Sequence, residues 1–196
     1  TTAIIADLEF FRGSEPDGGT IFEMGWIWQK GGRVYGYTRD KRSMAEKNQA
    51  AYLSNGIIID QDGRKLPYSS LPFAPSIMAS GKVIEGDFKD ALKLYLLDLE
   101  DERRGYKRIK GERKTKEKKK NRVFIASSKR YDKDYIEYKE RIRLQYEKKG
   151  FEAVFPSSGK NDLEVDPLLN AEEIFEENMS LLSSSSYIVA DLDNYH

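Results

Sequence analysis

The sequence predicts an α/β fold: a doubly wound parallel sheet with helices on both faces. Short apolar runs of strand type alternate with amphipathic stretches of helical period along the whole chain, the pattern that builds a parallel sheet covered on both sides. Capping residues and glycine stops bound the helical stretches. The chain has 196 residues, 39% of them hydrophobic and 12% aromatic. That length predicts one domain, or one and a fraction, able to hide roughly 70% of its unfolded surface.

The elements follow in order. Ala3–Leu8 (AIIADL) is a buried-type strand, followed by a polar loop, Glu9–Gly19. Thr20 opens a helix that runs to about Lys30 and is stopped by Gly31-Gly32. Arg33–Thr38 is the next strand and Ser43–Leu53 a helix, while Ile57–Asp60 and Arg64–Leu66 flank the hairpin signal Asp62-Gly63. Asp87 caps a helix over Phe88–Glu100, with Phe88, Ala91, Leu92, Tyr95, Leu96 and Leu99 on one face. Beyond a basic segment come a strand at Arg122–Ser127, a charged helix at Lys133–Lys149 closed by Gly150, and a strand at Phe151–Pro156. Asn170–Leu182 reads as a helix with Asn170 and Glu173 as its capping box, and Tyr187–Leu192 as the last strand.

Composition excludes several chemistries. With no cysteine there is no disulfide scaffold, zinc ribbon or thiol nucleophile, and the single histidine, His196, argues against a histidine-based triad or a multi-histidine metal site. No apolar run approaches the roughly 18 residues of a membrane span and no signal peptide opens the chain, so a cytoplasmic enzyme or binding domain is expected. The net charge of zero hides an island. Between Arg103 and Arg122 there are 12 Lys/Arg and two acids, Glu112 and Glu117. Too poor in apolar residues to fold alone, such a run reads as a solvated linker. With only Tyr106 among its charges, it lacks the aromatic interleaving of a nucleic-acid surface.

One internal repeat stands out. Ile4-Ile5-Ala6-Asp7-Leu8-Glu9 and Ile188-Val189-Ala190-Asp191-Leu192-Asp193 are nearly the same segment, with Phe11 and Tyr195 continuing the match. Asp191 and Asp193 therefore read as counterparts of Asp7 and Glu9.

The richest segment is Gly13-Ser14-Glu15-Pro16-Asp17-Gly18-Gly19-Thr20-Ile21-Phe22-Glu23-Met24-Gly25. It lies at the carboxyl end of a parallel strand, where open α/β sheets place ligands. Gly18 and Gly19 let backbone approach a ligand, and a helix N-terminus favours negative charge there. Glu23 has two readings. In one, Thr20-x-x-Glu23 is a capping box; in the other, the helix dipole keeps Glu23 ionised as a carboxylate nucleophile. Asp17 is a turn residue before the glycines, or a second carboxyl group that handles a proton on a leaving group. Two acids in one glycine-rich pocket, with no His or Cys, point to glycosyl chemistry more than to acyl transfer.

The stretch IIADLEFFRGSEPDGGTIFEMGWIWQKGGRVYGYT resembles the core of the nucleoside 2-deoxyribosyltransferase family, with its G-T-x-F-E-x-G motif after an acidic loop. RVFIASSKRYDKDYIEYKERIRLQYEKKGFEAVFP and AEEIFEENMSLLSSSSYIVADL resemble the amino-terminal half of the same family, so the halves stand in inverted order. The resemblance implies a Rossmann- or flavodoxin-like sheet. It divides the chain into a carboxyl-terminal half at 1–100 with the catalytic loop, a basic linker at 101–121 and an amino-terminal half at 122–196. It also implies a fragment of a tandem duplication or a circular permutant, in which 122–192 packs against 9–100 within a chain or by exchange between chains. Both copies of the repeated strand then compete for one slot.

Carried over residue by residue, the resemblance makes Glu23 the nucleophile and Asp17 the acid that addresses the base. Gly19 and Ser127 fall at the substrate, Asn178 at the sugar, and Met78 at a position that a neighbouring subunit contributes to the pocket. Phe124, Ser76 and Lys160 depart from residues common in the family. The implied partners are a deoxyribonucleoside and a free nucleobase, exchanged in nucleotide salvage by a homo-oligomer with shared active sites, without metal or organic cofactor. Two alternatives stand beside transfer. One is hydrolysis of nucleoside 5′-monophosphates, with Ser127-Ser128-Lys129-Arg130 seating the phosphate. The other is a catalytically silent nucleoside-binding module. Trp26 and Trp28 lie on different faces of the catalytic helix, so at least one is core or interface. Tyr131, Tyr135, Tyr138 and Tyr146 read as helix packing.

Overall fold

A computed structural model describes residues 3–52, 58–66, 68–106, 117–127, 134–157 and 167–191. The fold is mixed α/β with parallel strands, as the alternation predicts. The chain divides into two compact units, Thr1–Asn48 with Tyr68–Glu112, and Gln49–Pro67 with Arg113–His196.

In the first unit β1 (Ala3–Asp7), β4 (Arg33–Thr38) and β7 (Lys82–Glu85) form a parallel sheet in the order β1-β4-β7. β1 pairs with β4 from Ala3↔Arg33 to Asp7↔Tyr37. Helix α1 (Gly18–Gln29) crosses from β1 to β4, and its Met24, Ile21, Ile27 and Trp28 pack with Ile4, Ala6, Leu8 and Val34. Phe73 and Ile77, beside and within α3 (Pro75–Ser80), complete that core. Successive strand residues face opposite ways. Tyr35, next to Val34, therefore meets the other covering helix, α4 (Phe88–Arg103), its ring edge-on to Tyr95 at 5.6 Å. The sheet is thus covered on both faces.

Charge fixes α4 as well. The Tyr35 hydroxyl donates to Asp98 at 2.6 Å and the Lys82 ammonium reaches both Asp98 oxygens at 2.8 Å. Arg33, buried at the start of β4, pairs with Glu102. Burial alone would raise the Asp98 carboxyl, but the hydrogen bonds from Lys82 and Tyr35 hold it below its ordinary value.

In the second unit β8 (Lys119–Ser127), β9 (Glu152–Val154) and β10 (Ser185–Asp191) form a parallel sheet in the order β10-β8-β9. Val123 and Ile125 pack under α5 (Tyr135–Glu147) with Tyr138, Ala153 and Phe155. Helix α6 (Pro167–Ser183) leads from β9 to β10 and packs on β10. Each copy of the repeat thus has its own neighbour, β1 with β4 and β10 with β8. Among the described residues the two copies therefore stand in separate three-stranded sheets and do not compete for one place.

Several boundaries differ from expectation for local reasons. The helix expected over 43–53 is one turn, α2 (Met44–Lys47), ended where Asn48 caps and Gln49 takes φ 48°. The polar loop 9–19 contains a small antiparallel pair, β2 (Phe10–Arg12) and β3 (Glu15–Pro16), turning at Gly13 with φ 69°. The Asp62-Gly63 turn forms, with β6 (Ile58–Ile59) bridged from Ile59 to Lys65 and paired to β5 (Ala51–Tyr52). Asn170 is no capping residue, because α6 already runs through it from Pro167. The expected basic linker gives its first residues to α4 and its last to β8.

Two outcomes check this packing. A methyl group on Gly81 would land on the carbonyl oxygen and Cβ of Val34, backbone that cannot swing aside. Gly81→Ala is expected to cost about 1–3 kcal/mol in urea unfolding followed by circular dichroism. Because the folded Asp98 carboxyl lies below its unfolded value, its stabilising contribution is full above about pH 4 and fades as pH falls through the folded value. Asp98→Asn should flatten the acid limb of the stability curve and leave its shape near neutrality unchanged.

Candidate functional site

The carboxyl end of β1 leads through the β2–β3 pair into α1, and this turn carries the acids singled out in the sequence. Helix α1 begins at Gly18, and its N-cap is Asp17. Asp17 Oδ2 accepts from the Thr20 backbone N–H at 2.9 Å and from Thr20 Oγ1 at 3.3 Å. Thr20 therefore neither opens the helix nor caps it. Asp17 is the stronger N-cap type, and the two glycines after it place no side chain between its carboxylate and the orphan N–H groups. A Cβ on Gly19 would stand 2.9 Å from Asp17 Oδ2, so this glycine leaves room for the cap.

With the cap at Asp17, Glu23 is the sixth helical residue and takes no part in capping. Its side chain is exposed and makes no hydrogen bond or ion pair among the described residues. The capping-box reading of Thr20-x-x-Glu23 is thereby overturned. So is the help expected from the helix dipole, which fades beyond the first turn. Glu23 is a free carboxylate on the second turn of α1.

Beside it an open groove of about 560 Å³ is lined by Ala3, Ile4, Phe22, Glu23, Trp26 and Ile27. Ala3 and Ile4 begin β1, and Trp26 and Ile27 lie in the last turns of α1. The groove thus runs from Glu23 along the flank of β1, away from the Asp17 turn. Trp26 and Phe22 are exposed along it, whereas Trp28 packs against the core.

The other expected site residues are engaged as follows. Met78, on α3, packs against the core formed by Phe73 and Ile77. Asn178, on α6, accepts from the Ser157 N–H at 2.6 Å and donates to the Ser157 carbonyl at 3.4 Å. Ser127, at the end of β8, donates to Asp191 at 3.3 Å, and the Tyr138 hydroxyl donates to the same Asp191 oxygen at 3.0 Å. Burial pushes the Tyr138 hydroxyl up. Phe124 is buried in β8 and Ser76 is exposed on α3. The structure brings Asp17, Gly19 and Glu23 onto one helix, with Met78 in the same unit. Ser127 and Asn178 belong to the other unit. Ser128, Lys129, Arg130, Tyr131, Lys160, Leu192, Asp193, Tyr195 and His196 lie outside the described residues.

One polar group packed against the β2–β3 pair escaped the sequence. Lys47 donates to the Pro72 carbonyl at 2.7 Å, with its ammonium 3.9 Å from the Phe73 ring centre and 4.9 Å from that of Phe10. Burial lowers its pKa. Next to it Ser14 donates to Asn48 at 3.0 Å, tying the β2–β3 turn to α2. As one of 33 basic residues, Lys47 carries no sequence signal for this place. Among the described residues no cluster of His, Cys, Asp or Glu is arranged to hold a metal ion, and no helix is long and apolar enough to cross a membrane.

Residues 1–68 match the family model described as nucleoside 2-deoxyribosyltransferase. Among solved structures, a 2-desoxiribosyltransferase from Leishmania mexicana is similar, at 29% identity and a TM-score of 0.38, over 48% of this chain. The chain covers 57% of that enzyme's length. No curated protein matches.

The cap can be separated from the acid. Asp17→Ala is expected to lower stability by about 1 kcal/mol, and Asp17→Asn, which also caps, by much less. Thermal unfolding of both variants checks the order.

Proposed function

We propose, from the match of residues 1–68 to the nucleoside 2-deoxyribosyltransferase family model, that this chain moves a 2-deoxyribosyl group from one nucleobase to another. The observation that carries the reading is Glu23, a carboxylate without a partner among the described residues, on the second turn of the helix that Asp17 caps and inside the matched segment.

The reaction is a double displacement. A Glu23 carboxylate oxygen attacks the anomeric carbon of the donor as the bond from that carbon to the base nitrogen breaks, through an oxocarbenium-like transition state. The departing base takes a proton from Asp17. Oδ2 of Asp17 is held by Thr20, which leaves Oδ1 to carry that proton toward the base. The product of the first half is a deoxyribosyl ester of Glu23 and a free base. A nitrogen of a second base then attacks the same carbon, the ester bond to Glu23 breaks, and the proton lost by the incoming base returns to Asp17. Two inversions give retention and ping-pong kinetics. Gly18 and Gly19, without side chains, let the sugar approach the start of α1. No step calls on a metal or an organic cofactor.

Ser127 and Asn178 are proposed to contact substrate through the hydroxyl and amide that now hold Asp191 and Ser157, and Met78 to face a pocket shared with another subunit. The halves at 1–100 and 122–196, with a basic linker at 101–121, are proposed as the two parts of the family's domain in inverted order.

Chromatography of a deoxyribonucleoside incubated with the chain, with and without a second free base, tests the reading. A new deoxynucleoside that forms only with the acceptor is expected, and Glu23→Ala should reduce its rate by roughly 10⁴-fold or more. Base released at the same rate without acceptor would assign a hydrolase instead. Binding without turnover, indifferent to Glu23→Ala, would assign a silent nucleoside-binding module.

A further inference from the structure

Lys47 is a half-buried cation that no carboxylate pairs with among the described residues. Its ammonium donates to the Pro72 carbonyl at 2.7 Å and lies 3.9 Å from the Phe73 ring centre and 4.9 Å from that of Phe10. Drawing a charge out of water costs stability unless its new partners replace that water. An aliphatic side chain would fill the same space without that cost. What the ammonium adds is direction, because a carbonyl and two aromatic faces fix a cation where they would hold an apolar group only loosely. Its partners belong to two segments of the chain, Pro72 and Phe73 to one and Phe10 to the other.

The two segments differ in firmness. Phe73 is fully buried in the core of the first unit. Helix α2 is docked on the stretch before it, the Met44 N–H donating to the Leu71 carbonyl at 2.8 Å and the Ala45 N–H to that of Ser69 at 2.9 Å. The β2–β3 pair, by contrast, has only Phe10↔Pro16 and Arg12↔Glu15 as paired positions, and so short a pair holds no shape unaided. Consecutive residues at the end of α2 hold it from both sides. Lys47 lies against Phe10 in β2, and Asn48 Oδ1 accepts from Ser14 Oγ, one residue before β3, at 3.0 Å. The Asn48 amide is itself fixed by donating to the Met44 carbonyl at 2.8 Å. Phe10 stands opposite Pro16, which is buried and runs directly into Asp17, the N-cap of α1.

We propose that Lys47 and Asn48 are positioning residues for Asp17. The end of α2 braces the β2–β3 turn against Pro72 and Phe73, and the brace sets the direction in which the chain enters Asp17 from Pro16. Thr20 holds Oδ2 of Asp17 and leaves the aim of Oδ1, the oxygen assigned to the proton, to that entry. Burial lowers the Lys47 pKa, the cost expected of a charge kept where its contacts are needed. Neither residue is assigned a contact with substrate; each acts through the loop that carries the acid. The role in transfer rests on the reaction proposed above, whereas the brace rests on these contacts alone.

Two donors separate the aim of a proton from general loosening. An ordinary purine deoxyribonucleoside needs a proton on its base as the bond to the sugar breaks. One methylated at N7 carries a cationic base, which takes the electron pair of that bond and leaves neutral without a proton. Lys47→Met is expected to lower kcat with the first donor roughly tenfold or more, at a KM within about twofold, and to leave the second donor within about twofold. Lys47→Arg should recover most of the loss, because it keeps a cation over both rings. Ser14→Ala, which removes only the tie to Asn48, should show the same split at smaller size, and it serves where Lys47→Met does not fold. Equal losses with both donors, or an unchanged kcat with the first, overturn the positioning role. Exchange of the Thr20 backbone N–H, followed by NMR, reads the brace without turnover. It should quicken roughly tenfold in Lys47→Met, and by less in Ser14→Ala, while N–H groups of α4 keep their rates. Parent-like protection at Thr20 overturns the brace. A parent chain that transfers from neither donor removes the reaction and the positioning role with it, and the exchange rate then still decides the brace.

Discussion

A parallel strand of the type Ile-Ile-Ala-Asp is apolar on both faces and carries hydrogen-bonding groups along both edges, so it reaches its full stability only between two neighbours and beneath helices on each side. This chain contains that strand twice. Everything around it follows from how each copy is satisfied. β1 has α1 and α4 on its faces and β4 on one edge; β10 has β8 on one edge, with most of its side chains in water. Two sheets of three strands are the result, each with one central strand, β4 or β8, that is paired on both sides.

Helix α1 joins this constraint to the candidate chemistry. Its first turn is fixed by Asp17, whose carboxylate substitutes for the missing intrahelical acceptors. Its buried stripe, Ile21, Met24, Ile27 and Trp28, fixes its rotation over β1 and β4. Glu23 precedes Met24 and lies off that stripe, which is why it is exposed and without a partner among the described residues. An acid that neither caps nor pairs adds nothing to folding that another polar residue would not. Its place on the second turn of α1, at the mouth of the groove lined by Phe22 and Trp26, makes it the residue to test for function.

Much of this was legible in the residues. The strands at 3–8 and 33–38 and the helix after Asp87 announce themselves by apolar runs and a capping residue, and the structure places them within a few positions. What was hidden depends on competition between neighbours. Asp17 and Thr20 are both good caps, and only the backbone of Gly18 and Gly19 decides for Asp17. Pro75–Ser80 and Lys82–Glu85 are too short to show a period, and they form because Phe73 and Ile77 fill the core above β4. The repeat gave away two equivalent strands but not their neighbours, since pairing is set by crossover handedness rather than by strand sequence.

Phe22 and Trp26 are four residues apart on α1, and Glu23 is three from Trp26, so the three share one flank of the helix. Whatever covers the two aromatics also bounds the space into which Glu23 extends. An exposed carboxylate has many rotamers and a solvated charge, both unfavourable for attack on a sugar carbon. Burying the flank would narrow those rotamers and strip part of that water without moving a backbone atom of α1. Cover of the two aromatics and restriction of Glu23 would then be one event, because the same helix face carries all three. A helix with its aromatics on any other face would keep the cap at Asp17 and the core beneath it, yet leave Glu23 in bulk water whatever covered those aromatics.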